Sequence, residues 1–181
     1  LGIAVFFLAR VLAILYFMNN IDDESIRSQS WNRLLPESIA FLLFFLAFLA
    51  HWLIADGFAV KPDTQEIFMQ SYKYALNLLQ MPYVTGILLV GVILVLWGIG
   101  KTYLNPSYRE GIWFSGTGTV LTVLALLLCA GWNHTAYYPS ITDLQSSLTL
   151  QNSCSSPFTL KVMSYVSILI PFVLAYIFYA W

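Results

Sequence analysis

The stretch YVTGILLVGVILVLWGIG, residues 83 to 100, runs without a single charged side chain. A helix needs about 20 mainly apolar residues to cross the hydrocarbon core, and an uncharged run of roughly 18 is read as a span. Four other stretches share this character: residues 1 to 18, 37 to 58, 114 to 132 and 162 to 181. Pro36 and Pro82 precede or open two of them, where a proline costs a helix least, and Asn105-Pro106 marks a turn between two others. No period of about 20 to 50 residues repeats, which excludes a solenoid. The expected fold is all-α, a polytopic transmembrane bundle of five spans in one membrane domain over residues 1 to 181. The first stretch is short and holds Arg10, so it reads as the end of a longer helix and the chain as the C-terminal part of a longer subunit.

Composition agrees. Of the residues, 59% are hydrophobic and 9% charged, whereas a soluble domain carries about 25% charged residues. The net charge is -1 and the 8 Lys and Arg are dispersed, which excludes the basic stripe that nucleic acid requires. Membrane lipid is the expected surrounding. Cys129 and Cys154 form neither a disulfide framework nor a CxxC zinc pair.

Orientation follows from the cations of the short loops. Arg27, Arg33, Lys101 and Arg109 fall on one side, and Lys61, Lys73 and Lys161 on the other. This count puts loops 19 to 36 and 101 to 113 in the cytoplasm and leaves 59 to 82 and 133 to 161 outside. In the outer loop 59 to 82, Phe68, Tyr72, Ala75 and Leu79 recur at helical spacing. They predict an interfacial amphipathic helix or an extension of the span that begins near Pro82.

Ionisable groups within spans are costly and usually face a partner, which singles out Arg10, His51 and Asp56 as candidate intramembrane polar or proton-path residues. Arg10 lies about 12 Å from the helix end at Met18, and either pairs or snorkels, or serves a proton or substrate path. His51 is a structural histidine or a haem axial ligand; no companion at i+4 completes a zinc site. Asp56 precedes Gly57, a natural helix terminator. It is either hydrated there or a relay or quinone-contact carboxylate, because a helix C-terminus disfavours negative charge. Trp113, Trp132, Tyr137, Tyr138 and Trp181 stand at span ends, as interfacial aromatics do. The sequence GTGT at 116 to 119 lacks a following Lys-Ser/Thr, so it suits close helix packing rather than phosphate. No catalytic motif and no metal site emerge. A transporter would be the alternative class, but its paired broken helices in two related halves are not visible in five spans.

The segment YYPSITDLQSSLTL, residues 137 to 150, holds one charge among serines and threonines. It has the composition of a loop that packs against protein near the headgroups, its hydroxyls bonding backbone. Pro139-Ser140, Ser147-Leu148-Thr149, Ser155-Ser156, Thr159-Leu160 and Val162-Met163 together resemble the tail of subunit II of the cytochrome bd quinol oxidases. ILIPFVLAYIFYAW, 168 to 181, is similar to that family's final helix, and LIADGFAV, 53 to 60, to its Asp-Gly-aromatic helix end. The acidic run Asp22-Asp23-Glu24 departs from the pattern.

The resemblance implies a non-haem-ligating subunit of a terminal oxidase of the bacterial inner membrane, which oxidises quinol and reduces oxygen to water. It implies that haem b and haem d are held by subunit I, the partner, and that this chain supports assembly and oxygen or proton access without carrying the catalytic centre. Pro139, Ser140, Ser147, Thr149, Ser155, Ser156 and Thr159 become the candidate partner-contact residues.

Overall fold

A computed structural model describes residues 1 to 180; the final aromatic expected at a span end, Trp181, lies outside them. Two helical hairpins organise the bundle. The first joins α1 (Gly2–Asn20) to α2 (Glu24–Ile54) through Ile21, Asp22 and Asp23 alone, where a loop over 19 to 36 was expected. Asp23 caps α2 by accepting a bond from the Ile26 amide at 3.0 Å.

Pro36 does not open α2 but lies inside it. An interior proline typically costs about 3 kcal/mol, and tertiary contacts of the preceding turns offset it. Leu34 is fully buried, the Trp31 ring stacks on Tyr103 at 5.6 Å, and its indole N–H donates to the Tyr103 carbonyl. At 1.5 Å per residue α2 is too long for the hydrocarbon core and projects beyond it. Its other end falls at Ile54, short of the expected 58.

A two-stranded antiparallel hairpin follows, β1 (Gly57–Val60) and β2 (Ile67–Gln70), with Gly57 opposite Gln70 and Val60 opposite Ile67. Gly57 is therefore a strand residue, not a left-handed helix cap, and no glycine has positive φ. Its small size has another use: a Cβ there would lie 2.6 Å from the Lys73 Cβ. The expected amphipathic helix is divided. Phe68 belongs to β2, Tyr72 takes a left-handed φ of 56°, and only Ala75 and Leu79 lie in α3 (Lys73–Gln80). Met81 separates α3 from α4 (Pro82–Leu104), so α3 does not extend that span.

The second hairpin, α4 with α5 (Gly111–Gly131), is held by small residues in contact. A Cβ on Gly91 would stand 2.7 Å from the Thr122 amide nitrogen, and one on Gly118 would stand 2.6 Å from the Gly91 carbonyl oxygen. Gly98 and Gly111 repeat the arrangement two turns away. Ser115 donates across to the Val95 carbonyl at 3.1 Å, and Thr122 returns its hydroxyl to the Gly118 carbonyl of its own helix. Lipid gives helices no hydrophobic reason to associate, so this close backbone approach supplies dispersion contacts instead.

The two hairpins meet in a core of Val11, Leu15, Met18, Leu34, Val95 and Ile99. Their turns lie on one face, joined by the Arg109–Asp22 ion pair at 2.6 Å and by Arg27 donating to the Pro106 carbonyl. On the opposite face the polar segment carries a 3₁₀ turn (Leu144–Ser146) and the short α6 (Leu150–Ser153). The last helix, α7 (Pro157–Ala180), begins before the expected 162 and has no buried residue. Five described helices, α1, α2, α4, α5 and α7, are long and apolar enough to cross a membrane.

Candidate functional site

The polar segment is stitched to the β1–β2 hairpin by its uncharged side chains. The Gln145 amide accepts from the Ile67 N–H at 3.0 Å and donates to the Ile67 carbonyl at 2.9 Å, taking the place of a third strand. Backbone bonds Val60 N–H to His134 O and Ala136 N–H to Phe58 O cover the free edge of β1. Deeper in the segment, the Ser147 hydroxyl accepts from the Ser140 amide at 3.0 Å and donates to the Leu144 carbonyl at 2.7 Å. Thr149 and Asn152 form a reciprocal capping box on α6, and the Asn152 amide also donates to the Ser147 carbonyl.

Ser147 and Thr149 are buried within this chain, so their hydroxyls face inward. Ser140 is half-buried, and Pro139 and Ser155 are exposed. Ser156 accepts from the Thr159 amide at 3.3 Å, an N-cap bond with Pro157 as the first helical residue of α7. The candidate contact residues thus divide into internal ties and an exposed remainder.

Beneath the segment lies a buried polar knot that sequence reasoning did not find. Asn77, fully buried, donates to the Cys129 carbonyl at 2.9 Å and to the Thr135 hydroxyl at 2.8 Å. Asn133 donates to the Asn77 and Gln80 side-chain oxygens, and the Lys73 ammonium donates to the Asn133 carbonyl at 3.0 Å. Asn133 and His134 both adopt positive φ, 57° and 52°, turning the chain sharply after α5. Burial holds the Lys73 pKa below the usual lysine value. The only legible signal was two amides, Asn77 and Gln80, and a lysine in one short stretch, with the third amide, Asn133, remote from them in sequence.

The three ionisable candidates are not brought together. Arg10 pairs with Glu37 of α2, and its guanidinium also lies 5.7 Å from the centroid of the Phe6 ring. Glu37 was missed because it stood at the edge of an expected loop. His51 is exposed toward the other end of α2, and Asp56 is exposed in the connection between α2 and β1.

A haem would need an imidazole aimed into a cavity of porphyrin size. His51 lines neither the apolar groove between the hairpins nor the clefts at either face, and His134 lines a polar cleft beside Trp132 and Thr149. These histidines do not fit such a pocket. Among the described residues, no three His, Cys, Asp or Glu side chains converge on a metal position.

A search of curated proteins returns no match. The family model described as cytochrome bd terminal oxidase subunit II matches residues 1–181. Five apolar spans, a polar cap over one end and the tail motifs ending in Thr159 and Met163 agree with that match, and the chain belongs to the cytochrome bd terminal oxidase subunit II family.

Proposed function

We propose that this chain is the non-haem-ligating subunit of a quinol-oxidising, oxygen-reducing complex of the bacterial inner membrane. It docks on subunit I, which holds haem b and haem d. Family membership carries the coarser part: a multi-pass subunit of a membrane terminal oxidase whose complex uses haem and quinol. When bound, the haems supply the electron transfer and oxygen reduction, while this chain's residues shape the protein around them.

The observation that supports a docking role is α7. A span with no buried residue gains dispersion contacts when another helix covers it. The exposed remainder of the polar segment, Pro139 and Ser155, lies on the face from which α7 departs, continuing the same docking surface. A photo-cross-linking residue at Leu169 or Phe172, in the complete complex, is expected to capture subunit I. Capture of lipid alone, or of subunit II alone, from both positions would overturn this reading.

Access routes follow the same division. The groove lined by Ala4, Phe41, Phe45, Val95, Val123 and Leu126 is apolar and opens between the hairpins, which suits oxygen, a gas that partitions into apolar space. Arg10, His51 and Asp56 stand apart and form no continuous relay, which favours oxygen access over proton access for this part of the subunit.

A further inference from the structure

On the face that carries the interhelical turns, one side of the α1–α2 hairpin forms an open cleft of about 320 Å³. Arg10 of α1 and Arg33 of α2 both line it, with Gln29 and Ser30 between them and Ile14 and Phe17 forming an apolar wall. Helical spacing produces the arrangement. Arg10, Ile14 and Phe17 follow i, i+4, i+7 on α1, and Ser30 and Arg33 follow i, i+3 on α2, so each set occupies one stripe. Arg33 lies ten residues from the connecting turn, about 15 Å along its helix, while the Arg10 guanidinium reaches Glu37, about one turn further along α2.

The level of Arg33 is the membrane boundary. Arg33 is two residues from Trp31, which stacks on Tyr103 at the last turn of α4, and aromatic pairs of this kind mark the headgroup region. The charges in the cleft do not balance. Glu37 is committed to Arg10, and Arg33 makes no ion pair among the described residues. One positive charge, Arg33, is left over beside an apolar wall at headgroup depth.

We infer that this cleft binds the phosphate of an anionic phospholipid, Arg33 taking its oxygens while an acyl chain follows Ile14 and Phe17. Guanidinium forks match phosphate oxygens in pairs, and basic pockets between spans on the cytoplasmic side recognise anionic headgroups. The amide of Gln29 and hydroxyl of Ser30 offer further donors for a headgroup. Glu37 keeps Arg10 directed toward the α1–α2 seam, so the cleft accepts one phosphodiester rather than a more highly charged group.

The test uses the complete oxidase complex, purified in detergent and titrated with phosphatidylglycerol or phosphatidylcholine, with bound lipid counted by native mass spectrometry. The wild type is expected to retain one phosphatidylglycerol in preference to phosphatidylcholine. Arg33→Gln is expected to weaken that retention about fivefold. Arg33→Lys is expected to fall between the two, because it keeps charge and loses the fork. Lys101→Gln, on the same face but outside the cleft, is expected to match the wild type. Equal retention in the wild type and Arg33→Gln would overturn the site. So would displacement of the lipid by inorganic phosphate at matched concentration, which would mean the cleft reads a free anion and not a lipid.

Discussion

The side-chain amide of Gln145 and the main chain of Ile67 exchange two hydrogen bonds, at 3.0 and 2.9 Å. A single side chain thereby completes one edge of a two-stranded sheet that would be marginal by itself, and it ties the polar segment to β2. Removing it leaves an edge amide and carbonyl without protein partners. Gln145→Ala is expected to cost about 1 to 3 kcal/mol, two bonds at their usual net value. The loss should appear as faster hydrogen exchange at the Ile67 amide, with the spans unaffected. Gln145→Glu keeps the acceptor and loses the donor, so it should lie between.

The low charge of the polar segment has the same origin. Ser147 is fully buried and bonded on both sides, and a carboxylate there would have to be desolvated without a cation. Ser147→Asp is therefore expected to unfold the polar segment and reduce the yield of assembled complex severalfold. Ser28→Asp, at an exposed position on the opposite face, should leave the yield unchanged. Equal yields of assembled complex and equal haem absorbance would remove this explanation of the composition.

The α4–α5 seam makes a sharper claim about individual glycines. Gly91 and Gly118 have no room for a Cβ, whereas Gly86 and Gly116 have nothing within 4 Å of one. Gly118→Val is expected to separate the helices and lower the thermal midpoint of the detergent-solubilised protein by many degrees. Gly86→Ala and Gly116→Ala should be neutral or slightly stabilising, since alanine is the better helix former by about 1 kcal/mol.

These seams show what could be read from sequence. The spans were legible because apolar length is a local property, and the packing role of GTGT was legible because small residues have few other uses in a span. The course of α2 was not. Pro36 argues locally for a helix start, and only Trp31, Leu34 and Arg27, meeting residues more than 60 positions away, reveal why the helix continues through it. The β1–β2 hairpin was hidden for a similar reason. Phe68, Tyr72, Ala75 and Leu79 satisfy helical spacing by coincidence, and the pairing of β2 with β1 overrides it. Asn77 and Glu37 were missed because each acquires its role from a partner remote in sequence.

Lys73 gives a pH dependence of definite sign. Burial holds its folded pKa below the unfolded value, so below the folded pKa the native state carries the full cost of a desolvated ammonium. Stability should rise as pH climbs from that folded pKa toward the unfolded value of about 10.4. The Lys73 contribution is the difference between the wild type and Lys73→Met in thermal unfolding of the detergent-solubilised protein across alkaline pH, because burial raises the pKa of the neighbouring Tyr74 hydroxyl, whose contribution runs the other way. A difference of opposite sign would mean that an unseen anion pairs with Lys73.

Arg10 and Glu37 offer a test of whether their pair stabilises or merely compensates. Each charge is tolerated inside the bundle because the other is there, but Arg10 is 43% exposed while Glu37 is only 12% exposed. The penalties for losing a partner are therefore unequal. Arg10→Leu strands a nearly buried carboxylate, whose second oxygen already lacks a hydrogen bond, and is expected to cost roughly 1 to 3 kcal/mol after allowance for the partial exposure of the pair. Glu37→Leu leaves an arginine that can snorkel toward the headgroups, and should cost less. The double replacement with leucine removes both desolvation penalties and adds apolar contact, so it should recover most of the loss from Arg10→Leu. Thermal midpoints of the four proteins close the cycle. If the double variant is as unstable as the sum of the single ones, the two side chains act independently and the pair does not explain why Arg10 is tolerated within a span.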